Sequence, residues 1–205
     1  MTLSEADLVE ADRMAVREAV RVVDLAGEDD WERDSPCAGW TLRRLVAHMT
    51  AQHHGFAAAA RGEGQDAAHW REPRDMSEPA KAHRAAAAAV LAAFAEPGAV
   101  EWEFALPELG GGFPGRRAVG FHLVDYVVHA WDVAATLGLR VRLPDDVLGA
   151  ALAVARRVPA DPALRGPGSA FAPVVRAPEQ AAGSGPLEET LRLLGRRPEQ
   201  WPVHE

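Results

Sequence analysis

Apolar positions recur along most of this chain with the 3.6-residue period of a helix rather than the two-residue period of a strand. Leu8, Ala11, Ala15, Ala19 and Val22 form one such stripe. It predicts a helix from a capping box at Thr2 and Glu5 to about residue 25, with Gly27 beyond its end. Thr41 is placed to cap a second helix running to about residue 60, with Leu42, Leu45, Val46, Met49 and Phe56 on its core face. A third, alanine-rich helix is expected over 78–95, capped by Ser77 and closed by Pro97 and Gly98. The fourth covers 117–137 and stops at Gly138, and Pro144, Asp145 and Asp146 open a fifth that runs to about residue 158. Alternation is confined to Trp102, Phe104 and Leu106, a weak strand signal ended by Pro107 and the run Gly110, Gly111, Gly112. From 159 to 185 proline and glycine dominate; Phe171, Val174 and Val175 suit a short strand or an extended wrap, and a last helix follows over 187–194. Four long helices with long connections at 61–76 and 97–116 predict an all-α-dominated fold. It is a four-helix bundle with crossover loops over 1–158, plus a small C-terminal extension over 159–205 of short strands and one helix.

Composition narrows the partners. A chain of 205 residues suits one substantial core, and a formal charge of −8 argues against nucleic acid, which needs a basic field. No apolar run approaches a membrane span, and the acidic N-terminal stretch lacks the regions of a signal peptide, so a cytoplasmic protein is expected. Cys37 is the one cysteine, which excludes an internal disulfide and a thiolate zinc cage. It has no neighbouring base in sequence and reads as a small, partly buried side chain rather than a nucleophile. An apolar bundle face is compatible with a homodimer.

The fourth helix carries an anomaly. His122, Asp125, His129 and Asp132 follow one helical stripe among Val127, Val128 and Val133, and buried polar groups are costly unless paired or liganded. Asp125 and His129, at i and i+4, share a face and can close on one divalent ion. His48 lies at the edge of the core face of the second helix. Two imidazoles and one carboxylate are a common three-ligand set that leaves a coordination position open. On Zn²⁺ such a set leaves about one positive charge, able to hold a thiolate or lower the pKa of a bound water. Trp131 is expected to pack and Trp40 to anchor its loop to the core. Asp132 is expected either to orient His129 or to serve the structure. His53 and His54 are expected to face solvent or a pocket rim. No general base is identifiable.

Pro36-Cys-Ala-Gly-Trp40-Thr-Leu-Arg-Arg-Leu-Val-Ala-His48 and Asp125-Tyr-Val-Val-His129-Ala-Trp131-Asp132 together resemble the DinB/YfiT-like superfamily. They are most like its actinobacterial metal-binding branch related to mycothiol-dependent maleylpyruvate isomerase. Residues 171–176 and 191–198 are similar to the same branch. The resemblance implies a DinB-like bundle with a metal held by His48, Asp125 and His129, zinc being the expected ion and nickel the alternative. It also implies a thiol such as mycothiol and a small electrophile as partners, with Arg43 and Arg44, and also Arg117, as candidate sites for the carboxylates of the thiol cofactor. The expected function is a thiol-dependent S-transferase or isomerase; the alternative is a binding protein of the same fold that sequesters a small molecule or metal. The isomerase pattern has Glu at the acidic position, so Asp125 is one methylene short and His122 is the substitute ligand.

Overall fold

The computed structural model describes residues 4–161, 165–166, 171–176 and 185–201. Its helices are α1 (Glu5–Val23), α2 (Leu42–Ala60), α3 (Pro79–Phe94), α4 (Gly115–Thr136), α5 (Asp145–Ala155) and α6 (Pro186–Leu193). A hairpin of β1 (Glu103–Leu106) and β2 (Gly111–Pro114) precedes α4. The first four helices form the bundle: α1 packs chiefly on α4 and α2 on α3, while α1–α3 and α2–α4 contacts close the ring. The apolar stripes meet inside it, with Ala15, Ala19, Val22, Leu42, Leu45 and Met49 fully buried. Among the described residues no helix is long and apolar enough to cross a membrane.

Local chemistry explains most boundaries. The Ser4 hydroxyl caps α1 by accepting from the Asp7 N–H at 3.1 Å; Thr2, expected to cap it, lies outside the described residues. Thr41 caps α2 as expected, accepting from the Arg44 N–H. Ser77 does not cap α3. Glu78 is the cap residue, with no side-chain bond to the helix N–H groups, and Pro79 starts the helix with its preset φ. The second strand was invisible to periodicity, because Gly-Gly-Phe-Pro offers no alternation. It pairs antiparallel with β1, Phe104 opposite Phe113 and Leu106 opposite Gly111.

Helix α4 is buried almost all round, because α1, α2 and α5 each cover part of it. The expected extended wrap runs beside α6, where the Val175 N–H donates to the Arg192 carbonyl at 2.9 Å, and no strand forms in it among the described residues. Residues 162–164, 167–170 and 177–184 of the expected loop lie outside the described residues. Arg165 gathers this region. Its guanidinium donates to the carbonyls of Pro159 (2.6 Å), Ala172 (3.0 Å) and Leu193 (2.7 Å).

Between α2 and the loop after it, Trp70 packs its ring against Gly55 and Phe56 and donates Nε1–H to the Gly64 carbonyl at 2.9 Å. A Cβ on Gly55 would fall inside the Trp70 ring. Gly55→Ala is therefore expected to cost about 1–3 kcal/mol as overpacking, although alanine is the better helix former, and to lower the urea midpoint of unfolding. An unchanged midpoint would show that Trp70 moves freely.

Candidate metal centre and its cavity

The side chains of α4 part in two directions. His122 turns into the bundle core, where its Nδ1–H donates to the Asp12 carboxyl of α1 at 2.7 Å and its Nε2 meets His53 Nδ1 at 3.1 Å. Both ring nitrogens of His122 are thus engaged away from Asp125, which leaves none to replace it. With Nε2 of His122 accepting, His53 donates from Nδ1, and its own Nε2 has no partner among the described residues. His53 stacks on Tyr126 (centroids 3.9 Å apart) and on His83 of α3 (5.0 Å). Neither nitrogen of His83 has a hydrogen-bond partner among the described residues. Expectation placed His53 at solvent or a rim; it is wholly buried, and only His54 is exposed. Five residues on a helix turn by about 140°, which carries His53 to a different face from His48.

Asp125 and His129 point the other way, toward α2. His129 Nε2 stands 3.3 Å from Asp125 Oδ1, and the rings of His48 and His129 meet nearly edge to face with centroids 5.5 Å apart. One ligand atom from each of His48, Asp125 and His129 lies within 4.8 Å of the others. Tetrahedral ligands about 2.1 Å from a zinc ion stand about 3.4 Å apart, so the pair on α4 already has that spacing and His48 needs a small approach. The donor set, two imidazoles and a carboxylate facing a cavity, fits a divalent ion with an open position. The shorter acidic side chain still brings Oδ1 to within 3.3 Å of His129 Nε2.

Electrostatics separate the two histidines. Burial, and the charge of His129 beside it, push His48 down to about 4, so it is a neutral imidazole with a lone pair to offer. Burial would also depress His129, but Asp125 and Asp132 on its two sides raise it well above the ordinary value. Burial would raise Asp125, yet His129 and His48 outweigh it and hold the carboxyl low. Asp132 follows the same logic more strongly: it is fully buried, and Arg196 and His129 hold it far below the carboxylate range.

Asp132 accepts from His129 Nδ1 at 2.8 Å and from Arg196 Nη2 at 2.8 Å. This contact suits the orienting reading, one of two that the sequence left open; Arg196, from the segment after α6, lay in a stretch noted only for its family likeness, with no role assigned. Cys37 also belongs here, its sulfur 3.3 Å from Asp132 Oδ2 and 3.2 Å from Arg196 Nη2. Burial, then Asp132, raise its pKa, which keeps it a thiol and agrees with a quiet rather than nucleophilic cysteine.

The centre opens into a cavity of about 1970 Å³, walled by Phe56, Trp70, Phe113 and Phe121 and carrying Arg44, Arg116, Arg117, Arg157 and Arg196. The two arginines singled out in sequence part company. Arg44 lines the cavity with its guanidinium 4.9 Å from the Trp40 ring centroid, whereas Arg43 turns outward to the Glu32 carboxylate (2.8 Å) and the Met76 carbonyl (2.7 Å). Arg117 reaches the cavity too, over the rings of Phe113 and Phe121.

Residues 13–134 match the model of the mycothiol maleylpyruvate isomerase N-terminal domain, well over half of the chain. Two uncharacterized proteins from two strains of Mycobacterium tuberculosis, MT0763 and Rv0738, are each 31% identical over 168 residues, which is 79% of this chain and 82% of theirs. Among solved structures, mycothiol-dependent maleylpyruvate isomerase superposes with a TM-score of 0.58 at 19% identity, covering 76% of this chain and 70% of that one. A histidine-to-alanine mutant of that enzyme gives 0.59 at 16% identity with the same coverage.

Proposed function

Because the chain belongs to the mycothiol maleylpyruvate isomerase N-terminal domain family, we propose that it is a metal-dependent enzyme that joins a low-molecular-weight thiol to a small electrophile. The observation that carries this reading is the convergence of His48, Asp125 and His129 at one point of a large cavity. A zinc ion bound there would supply positive charge that lowers the pKa of a thiol and favours the thiolate. Nickel is the second candidate. His48 offers a neutral Nε2 or Nδ1, Asp125 a carboxylate that offsets charge, and His129 an imidazole whose Nδ1–H is anchored on Asp132. The aromatic walls exclude water from an apolar electrophile, and Arg44 and Arg117 suit carboxylates on the thiol or its partner. Sulfur would add to an electrophilic carbon; expulsion of the same thiol after bond rotation gives isomerisation, and its retention gives S-transfer.

The test is direct. Protein purified without chelator should carry one divalent ion per chain and consume an electrophile such as maleylpyruvate or chlorodinitrobenzene only when mycothiol or another thiol is added. Bound metal without turnover of any electrophile would instead favour a sequestering protein. Metal affinity should also depend on pH. His129, protonated in the metal-free protein because Asp125 and Asp132 raise its pKa, must lose that proton to bind. Affinity is therefore expected to fall about tenfold for each pH unit of acidification around neutrality, read by chelator competition. A flat profile would overturn the assignment of His129 as a ligand.

A further inference from the structure

A carboxylate with no solvent exposure, in the interior of a helix, is stable only when it is partnered, and beside the Cys37 thiol Asp132 has two strong partners. One is His129. The other is Arg196, which grips both oxygens, Nε to Oδ1 at 3.2 Å and Nη2 to Oδ2 at 2.8 Å. The guanidinium is itself fixed: Nη1 donates to the Leu194 carbonyl at 2.9 Å, and Nη2 also touches the Cys37 sulfur. The backbone is equally constrained. Gly195 takes φ +86°, where a Cβ would collide with that of Ala172 and come within 3.1 Å of the Pro173 carbonyl. This left-handed turn ends α6, and it lets the Arg196 N–H donate to the Leu191 carbonyl at 2.8 Å while its side chain enters the cavity.

We propose that Arg196 is a positioning residue of the candidate metal centre, acting through Asp132 to fix the His129 ring so that Nε2 faces His48 and Asp125. The inference rests on the metal reading above. Two parallel N–H···O bonds define the plane of the Asp132 carboxylate, and that plane defines where the His129 Nδ1–H must point. With Arg196 removed, the carboxylate keeps His129 and the weak Cys37 donor, both on Oδ2, so it gains freedom to rotate and releases the ring. The C-terminal segment is on this account part of the site rather than a cover for it. A merely structural arginine would tie the segment down and affect stability, leaving the ligand geometry as it is.

Full-length Arg196→Gln and Arg196→Lys separate these roles when zinc affinity is measured by chelator competition, beside the visible spectrum of the cobalt-loaded protein and the urea midpoint of the metal-free protein. Arg196→Gln is expected to weaken zinc roughly 10- to 100-fold, the range seen when a group that orients a ligand is lost, and to shift the cobalt bands. Arg196→Lys, which keeps a point charge without the two-pronged grip, is expected to fall in between. Wild-type affinity and an unchanged cobalt spectrum in folded Arg196→Gln overturn the proposal, whatever its urea midpoint. If that variant does not fold, Arg196→Lys decides: affinity within about twofold of wild type overturns the proposal, and a larger loss supports it. Failure of the wild-type chain to take up zinc is a separate result, which overturns the metal reading and this inference with it.

Discussion

Replacing His129 with alanine should all but abolish metal binding. Structural zinc in small four-ligand sites is worth about 10–16 kcal/mol in total, or about 2.5–4 kcal/mol per ligand, so one lost ligand weakens binding roughly 10²- to 10³-fold. The loss should exceed that of any other single change at the centre, because His129 alone contacts Asp125 on one side and Asp132 on the other. Thiol-dependent turnover should fall at least as far. The fold should survive, since Asp132 keeps Arg196 as its partner. Titrating metal-free wild type and His129→Ala with zinc against a competing chelator measures the ratio directly. Equal affinities would remove His129 from the ligand set and leave the function without its carrying observation.

The second large effect concerns pH and the core cluster, not the cavity. Burial pushes His83 down to about 3 and His53 well below its ordinary value. Both bases therefore stay neutral when folded, while in the unfolded chain they protonate near pH 6.5. Between those limits the unfolded state binds more protons, so stability is full above about pH 6.5 and declines as pH falls. Each histidine contributes a slope of about 1.4 kcal/mol per pH unit, which for His83 alone amounts to about 3 kcal/mol between pH 6.5 and 4. Other groups face this cluster: Asp12 from α1, His122 and Tyr126 from α4, and His54 next in α2. The His83 slope is isolated by difference. His83→Leu removes a buried group that has no hydrogen-bond partner among the described residues, so it should be neutral or stabilising at pH 7 and should flatten the acid limb by about 1.4 kcal/mol per unit. Urea unfolding at pH 7, 6, 5 and 4 reads both effects. Parallel limbs for the two proteins would mean that His83 is already charged or hydrated when folded.

The helices were legible because their apolar stripes and stop signals are local properties of the sequence. So was the pairing of Asp125 with His129, a matter of i and i+4 on one helix. His48 came into view through its place on α2 and through a motif resemblance, which tied together residues far apart in the chain. What periodicity could not see has a common cause. His53 was misplaced although it sits four residues after Met49 and three before Phe56 on the core stripe, because hydropathy discounts an imidazole there and only the packing of α3 and α4 shows it buried among rings. Arg43 and Arg44 are equally basic neighbours, and only the packed helix shows that one meets Glu32 while the other meets the cavity. Strand β2 hides in glycine. Arg196 reaches Asp132 across 64 residues of sequence, a contact set by how the last helix and its terminal turn dock, which no local period reports.

That separation has a consequence in time. Asp132 and His129 leave the ribosome before Arg196 does, and at about 5–20 residues per second a gap of 64 residues lasts roughly 3–13 s. Throughout that interval a nascent bundle can already have closed around α4 while the carboxylate behind His129 still lacks its cation. A metal arriving early meets a loosely aimed imidazole, and one arriving after the last helix has docked meets a fixed one. On the metal reading, loading would be biased toward a chain whose last helix has docked, because the brace lies downstream in sequence of the residues it holds.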